Sequence, residues 1–124
     1  MHSLGTHLII ELEKCNQNIL DDRVLIETIL TNAASESGAQ IIGSTFHKFI
    51  PVGVTGVISI SESHLAVHTW PELSYASVDI FSCGDNFDLN KCALKIIQGF
   101  QSTKVSRMKI DRGIDNKFLN QEIS

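Results

Sequence analysis

Ser63 follows a glutamate, Glu62, and is followed by His64 and His68, with Cys83 one strand's length further on. A serine hydroxyl held against the carbonyl of the preceding residue can attack it and turn the amide into an ester. That step is uphill for an ordinary peptide and needs strain at the bond and donors aimed at the developing oxyanion. Gly53, Thr55, Gly56, Ser59 and Ser61 supply small, flexible and hydroxyl-bearing neighbours. A base must then remove the α-proton of Ser63, so that the upstream chain leaves as a carboxylate. The dehydroalanine left behind hydrolyses to a pyruvoyl group and ammonia. His68 suits the base, because an imidazole exchanges protons in the neutral range. The expected products are fragments 1–62 and 63–124, the second capped by a pyruvoyl group made from Ser63.

A pyruvoyl ketone captures a substrate amine as a Schiff base and draws off the electrons released with CO2. The resulting carbanion needs an acid, and the thiol of Cys83 can donate the proton. Plainer readings exist for each residue. A Ser-His pair commonly has no catalytic role. His64, His68 and Cys83 could suggest zinc, but i and i+4 on a strand lie roughly 13 Å apart at ~3.3 Å per residue, too far to share an ion, so no metal is expected. Cys15 and Cys92 read as small core residues. Phe49, close to Pro51, and Trp70-Pro-Glu72 read by default as core and as an anchored turn.

The elements that must position these residues follow from periodicity. Leu8 to Leu12 suits a first strand. A helix begins at Asp21 or Asp22, with Ile26, Ile29, Leu30, Ala33 and Ala34 in one stripe and Ser37-Gly38 as its stop. Strands are expected at Ala39 to Ile50, Thr55 to Ser61, Leu65 to Thr69 and Tyr75 to Phe81. The second of these alternates, with Ile58 and Ile60 on one face and Thr55, Val57, Ser59 and Ser61 on the other. After a turn at Gly84-Asp85-Asn86 comes a helix from about Asp88 to Phe100, striped by Leu89, Cys92, Ala93, Ile96, Ile97 and Phe100. A last strand runs from Thr103 to Ile110, and the tail beyond Gly113 is weakly specified. The order β-α-β-β-β-β-α-β, with short middle connections, demands antiparallel pairing. The fold class is α+β: a two-layer sandwich with two helices on one face of an antiparallel sheet. The other, polar face is left open to solvent or to the sheet of a second copy of the chain.

Composition narrows the function classes. With 124 residues there is room for one domain spanning 1–124. A net charge of −4 and scattered basic residues give no nucleic-acid footprint. Three cysteines cannot all pair within one chain and show no zinc-ribbon spacing. The apolar run Leu8-Ile-Ile10 is stopped by Glu11, which argues against a signal peptide, and no stretch reaches membrane-spanning length, so no membrane partner is expected. Free thiols and a cytoplasmic setting are the expectation.

Gly5-Thr-His-Leu-Ile, Glu36-Ser-Gly-Ala, Ser44-Thr-Phe-His-Lys-Phe, Gly53-Val-Thr-Gly-Val, Ile60-Ser-Glu-Ser-His-Leu, His68-Thr-Trp-Pro-Glu and Asp79-Ile-Phe-Ser-Cys-Gly84 resemble, in order and spacing, the short bacterial and archaeal S-adenosylmethionine decarboxylases. The resemblance spans about residues 4 to 100. It implies Ser63 as pyruvoyl precursor, Glu62-Ser63 as the self-cleaved bond, His68 as promoter of processing and Cys83 as proton donor. It further implies Phe49 against the adenine and the cationic sulfonium, Glu72 on the ribose hydroxyls, and backbone groups of Leu65 at the adenine edge. The family fold is a two-layer sandwich whose protomers pair sheet to sheet, so a homodimer is implied. Thr55 stands where the family often has serine, at a position tied to processing, and Thr6 where a basic residue is frequent. Two alternatives compete. One is a pyruvoyl-dependent ornithine or arginine decarboxylase on the same scaffold, which Phe49 and Glu72 disfavour because a basic amino acid has no ribose. The other is an unprocessed regulatory paralogue, which has no need of Ser63, His68 and Cys83 together.

Overall fold

The computed structural model describes residues 4–61, 63–84 and 86–113. Glu62, Asp85 and the tail after Gly113 lie outside the described residues. Strand β1 (Gly5–Glu13) is followed by a one-turn helix α1 (Gln17–Leu20) and helix α2 (Arg23–Glu36). Strands β2 (Ile41–Lys48), β3 (Val54–Ile60), β4 (Ser63–Trp70) and β5 (Tyr75–Ser82) come next, with a 3₁₀ turn at Pro71–Leu73 before β5. Helix α3 (Leu89–Phe100) and strand β6 (Lys104–Arg112) complete the chain. The six strands form one antiparallel sheet in the order β2-β3-β4-β5-β1-β6.

Local chemistry accounts for the helices. Asp22 caps α2, its carboxylate accepting the Leu25 N–H at 3.0 Å, and Gly38 stops it with φ +100°. Asp88 caps α3 through the Lys91 N–H at 3.0 Å. Asn16 caps α1, accepting N–H groups of Asn18 and Ile19. That extra helix was not expected, because a single turn leaves no apolar periodicity to read. The stripe residues Ile26, Leu30, Ala33 and Ala34 of α2 and Cys92, Ala93, Ile96 and Phe100 of α3 are buried against the sheet. Facing them are Leu8, Ile10 and Leu12 of β1, Val54, Ile58 and Ile60 of β3, Leu65 and Val67 of β4, and Ala76, Val78 and Ile80 of β5.

Both helices therefore cover one face, as the α+β expectation requires. Strand β2 is shorter than Ala39 to Ile50, because its register breaks between Ile41 and Gly43 and the chain leaves the ladder after Lys48. Strand β4 begins two residues before Leu65, so Ser63 is its first residue and pairs with both Ile60 and Ser82. The opposite face carries Thr55, Val57 and Ser59, then His64, Ala66, His68 and Trp70, then Tyr75, Ser77, Asp79 and Phe81. No described helix covers it.

Candidate active site

Two clusters form at opposite ends of β4. At its beginning, Ser63 lines a cavity of about 210 Å³ with Gln40, Ser61, Gly84, Asn86 and Phe87. Cys83 is exposed and directly follows Ser82, the residue opposite Ser63 in the β4–β5 ladder. Ser82 Oγ accepts the Gly84 N–H at 3.2 Å, a local turn after β5 that sets Gly84 in the cavity wall. Burial pushes the Cys92 thiol up to about 12 and raises that of Cys15 as well, so both are held as inert core thiols. Cys83 is the one exposed cysteine of the three.

At the far end of β4, Phe49, Val52, Gly53, Thr55, His68, Thr69, Trp70 and Glu72 enclose a second cavity of about 320 Å³. That volume lies at the lower edge of the ~300–1,000 Å³ usual for small-molecule sites. The β3–β4 register places Thr55 opposite His68, and Thr55 Oγ1 and His68 Nδ1 share a hydrogen bond of 3.1 Å. This partner on Nδ1 fixes the ring's orientation, and because a hydroxyl can donate or accept, the bond serves either tautomer. Beyond His68 a row of rings continues, with Trp70 stacked on Tyr75 at 5.3 Å between centroids. The Tyr75 hydroxyl donates to Glu11. Burial, then this bond and the Glu11 charge, hold the Tyr75 phenol up at about 12.

The structure thus brings Thr55, His68, Phe49 and Glu72 together, and sets Cys83 next to Ser82, the strand partner of Ser63, without Cys83 lining the Ser63 cavity. It does not bring Ser63 to His68 within one chain. They are five residues apart on one strand, about 16 Å at ~3.3 Å per residue, and an odd spacing puts them on opposite faces. Ser63 shares the parity of the buried Leu65 and Val67, whereas His68 is on the open face with His64. Leu65, whose backbone groups the resemblance sets at the adenine edge, has its side chain fully buried in the core and its backbone paired with Ile58 and Ile80 on either side. On a central strand the ladders use both backbone groups of such a residue, so it lines neither cavity. The sequence expectation had not singled out Trp70, Val52, Gln40 or Asn86 as cavity residues. A lone Trp in a Trp-Pro turn is the signal that could have drawn attention to the first.

The open face between the clusters is mixed. His64 stacks on Phe81 at 5.5 Å between centroids, and Arg112 lies 5.9 Å over the same ring. His7 Nε2 approaches Asp79 Oδ1 at 3.3 Å without hydrogen-bond alignment. Val57 and Met108 are 42% and 60% exposed there. Among the described residues, no three His, Cys, Asp or Glu side chains are grouped to hold a metal, and no helix is long and apolar enough to cross a membrane.

Comparison with known proteins adds a family to this geometry. Residues 6–113 match the profile of a family described as S-adenosylmethionine decarboxylase. The S-adenosylmethionine decarboxylase proenzyme of Thermotoga petrophila is 46% identical over 113 residues, 91% of this chain and 87% of that one. That of Thermodesulfovibrio yellowstonii is 46% identical over 114 residues, 92% of this chain and 84% of its own. The crystal structure of the adenosylmethionine decarboxylase from Aquifex aeolicus superposes with a TM-score of 0.87 at 29% identity, covering 98% of this chain and 100% of that one. A Trypanosoma brucei AdoMetDC monomer shares the fold at a TM-score of 0.64 and 12% identity, over 91% of this chain and 54% of its own. With the family profile matched over residues 6–113 and relatives 46% identical over more than nine-tenths of its length, the chain belongs to the S-adenosylmethionine decarboxylase family.

Proposed function

We propose that the chain is a proenzyme that cleaves itself between Glu62 and Ser63 and then removes CO2 from S-adenosylmethionine, yielding an aminopropyl donor for spermidine synthesis. The observation that carries the substrate is the pairing of Phe49 with Glu72 in one cavity. An aromatic face attracts a purine and a sulfonium cation, and a carboxylate accepts from two ribose hydroxyls. Ornithine or arginine offers neither group, which sets that alternative aside.

The covalent cofactor is a pyruvoyl group formed from Ser63, and the cavity around Ser63 fits it. The cavity is small and polar, and Ser61, Gly84 and Asn86 bring donors within its walls. Once formed, that group supplies the electron sink for decarboxylation. The chain's own residues do the rest. His68, oriented by Thr55, takes the α-proton of Ser63 during maturation. Cys83, exposed beside Ser82, gives a proton to the product carbon.

Because Ser63 and His68 are held at opposite ends of β4, one chain supplies half of each site. A homodimer resolves this. With the open faces packed about 10 Å apart around a two-fold axis lying across the strands, the sheet end where Ser63 begins β4 lies over the partner's Phe49–Thr55–His68–Glu72 end. Ser63 must be reached around that end, because its side chain is on the helix side of the sheet. The exposed Val57 and Met108 then become interface. Unpaired thiols, Cys83 exposed among them, suit the reducing cytoplasm.

Purified protein separated under denaturing conditions tests the reading. Fragments 1–62 and 63–124, with the second blocked to Edman degradation and tagged by borohydride only when S-adenosylmethionine is present, support it. A single chain that stays uncut on long incubation rejects it in favour of the regulatory paralogue. Mixing refolded Ser63→Ala and His68→Ala chains tests the shared site: cleavage of the Ser63-bearing chain is expected, and none means that each chain carries its own base.

A further inference from the structure

We propose that Asp21, acting with Lys48, is a positioning residue that holds the Phe49–Gly53 loop in its ligand-receiving form and thereby sets affinity for the nucleoside end of the substrate. The inference rests on the substrate reading given above.

Asp21 is free for this task because Asp22 caps α2. One oxygen of Asp21, Oδ1, accepts the Gly53 N–H at 2.9 Å and lies 2.9 Å from Lys48 Nζ. Lys48 Nζ also donates to the Phe49 carbonyl at 3.1 Å. The carboxylate therefore reaches the last residue of the loop directly and the first through the lysine. Within the loop, the Phe49 N–H donates to the Gly53 carbonyl at 2.8 Å. Gly53 has φ +108°, a backbone state that suits glycine, so the N–H facing Asp21 depends on a conformation other residues rarely adopt.

Apolar packing does not anchor this loop. Ile50 is 96% exposed and Val52 is 37% exposed. What fixes the loop is polar and comes from the corner between α1 and α2. A second stitch ties the same corner to the strands behind: buried Thr69 donates its hydroxyl to the Leu20 carbonyl at 2.7 Å and accepts the Val54 N–H at 2.9 Å. The Gly53 N–H, and after it Lys48, hold the Asp21 carboxyl below its ordinary range, so it stays ionised through the working pH range. Charge-assisted bonds of this kind preorganise a binding loop, and order supplied in advance is order the ligand need not impose.

The test is steady-state kinetics on the self-cleaved enzyme, with fluorescence titration of Trp70, the single tryptophan and a wall of this cavity. Asp21→Asn and Lys48→Met are expected to raise KM for S-adenosylmethionine roughly tenfold, the loss of about one charge-assisted bond, with kcat within about twofold. The Trp70 titration should shift by the same factor. Lys48→Arg should restore near-normal KM, and Arg23→Ala, which breaks only the neighbouring surface pair with Glu27, should change neither constant. An unchanged KM in folded Asp21→Asn, or a fall in kcat and Tm at constant KM, overturns the proposal. Should Asp21→Asn not fold, Lys48→Met decides by the same criterion. A wild-type enzyme with neither turnover nor Trp70 response overturns the substrate reading as well. Normal wild-type turnover with an unmoved variant KM overturns the clamp alone.

Discussion

The two ends of β4 are built differently. At the His68 end, side chains are tied at almost every step: Thr55 to His68, Thr69 to Leu20 and Val54, Asp21 to Gly53 and Lys48, Trp70 stacked on Tyr75. At the Ser63 end, among the described residues, the surroundings are small and the ties are mostly to backbone. Ser61 and Gly84 line the cavity, and its links include the local Ser82–Gly84 turn and the Ser61 N–H donated to the Gln40 carbonyl at 2.9 Å. The difference matches two tasks. Recognition gains from groups fixed before the ligand arrives. A bond that must become an ester, break and leave two chain ends needs neighbours able to rearrange. The strand between them is a spacer that holds Ser63 and His68 at opposite ends of one chain.

The largest effect should come from the Ser63 end. Ser63→Ala removes the only hydroxyl that can attack Glu62, so intact mass should show no cleaved chain at any time. Fragments in that variant would mean the scissile bond lies elsewhere. At the tied end, Glu72→Gln keeps the shape and removes the charge. Its kcat/KM for S-adenosylmethionine should fall about tenfold to a hundredfold, the scale of a lost hydrogen bond to a charged group, and an unchanged value would remove the ribose contact. A smaller effect is expected from Thr55→Ser. It keeps the hydroxyl that meets His68 and sheds a methyl that stiffens χ1, so self-cleavage should quicken by about a fewfold; equal rates would show the methyl to be neutral.

The smallest effect concerns the ring row behind His68. Tyr75 is the single tyrosine, so phenolate absorbance reports it alone. Its midpoint should lie near 12, and Glu11→Gln should bring it down. The folded pKa is raised above the unfolded value, so the associated stability is complete below about pH 10 and is lost as pH rises toward 12. A midpoint at the ordinary phenol value in the folded protein would show that Tyr75 and Glu11 do not meet, and the tied end would be looser than described.

Much of the fold was legible because periodicity reports burial directly. The stripes of α2 and α3 and the alternation of β3 each reflect one buried face, and all three appear as read. The one-turn α1 and the end of β2 after Lys48 were not legible, since four residues carry no period and a strand's end depends on its neighbour. Asp21 shows the limit for single residues: beside Asp22 it reads as a cap, yet its carboxylate is spent on a loop 32 residues away.

The sequence by itself determined which chemistry is possible. Ser63, His68 and Cys83 were singled out by residue type and spacing, and Phe49 and Glu72 by the family resemblance; reactivity belongs to functional groups whatever fold carries them. Only the tertiary structure decided where those groups meet. It buried Leu65, joined Thr55 to His68, and set Ser63 on the opposite face and at the opposite end of β4 from His68. Register and strand pairing fix such distances through contacts far apart in sequence, and spacing along the chain does not encode them.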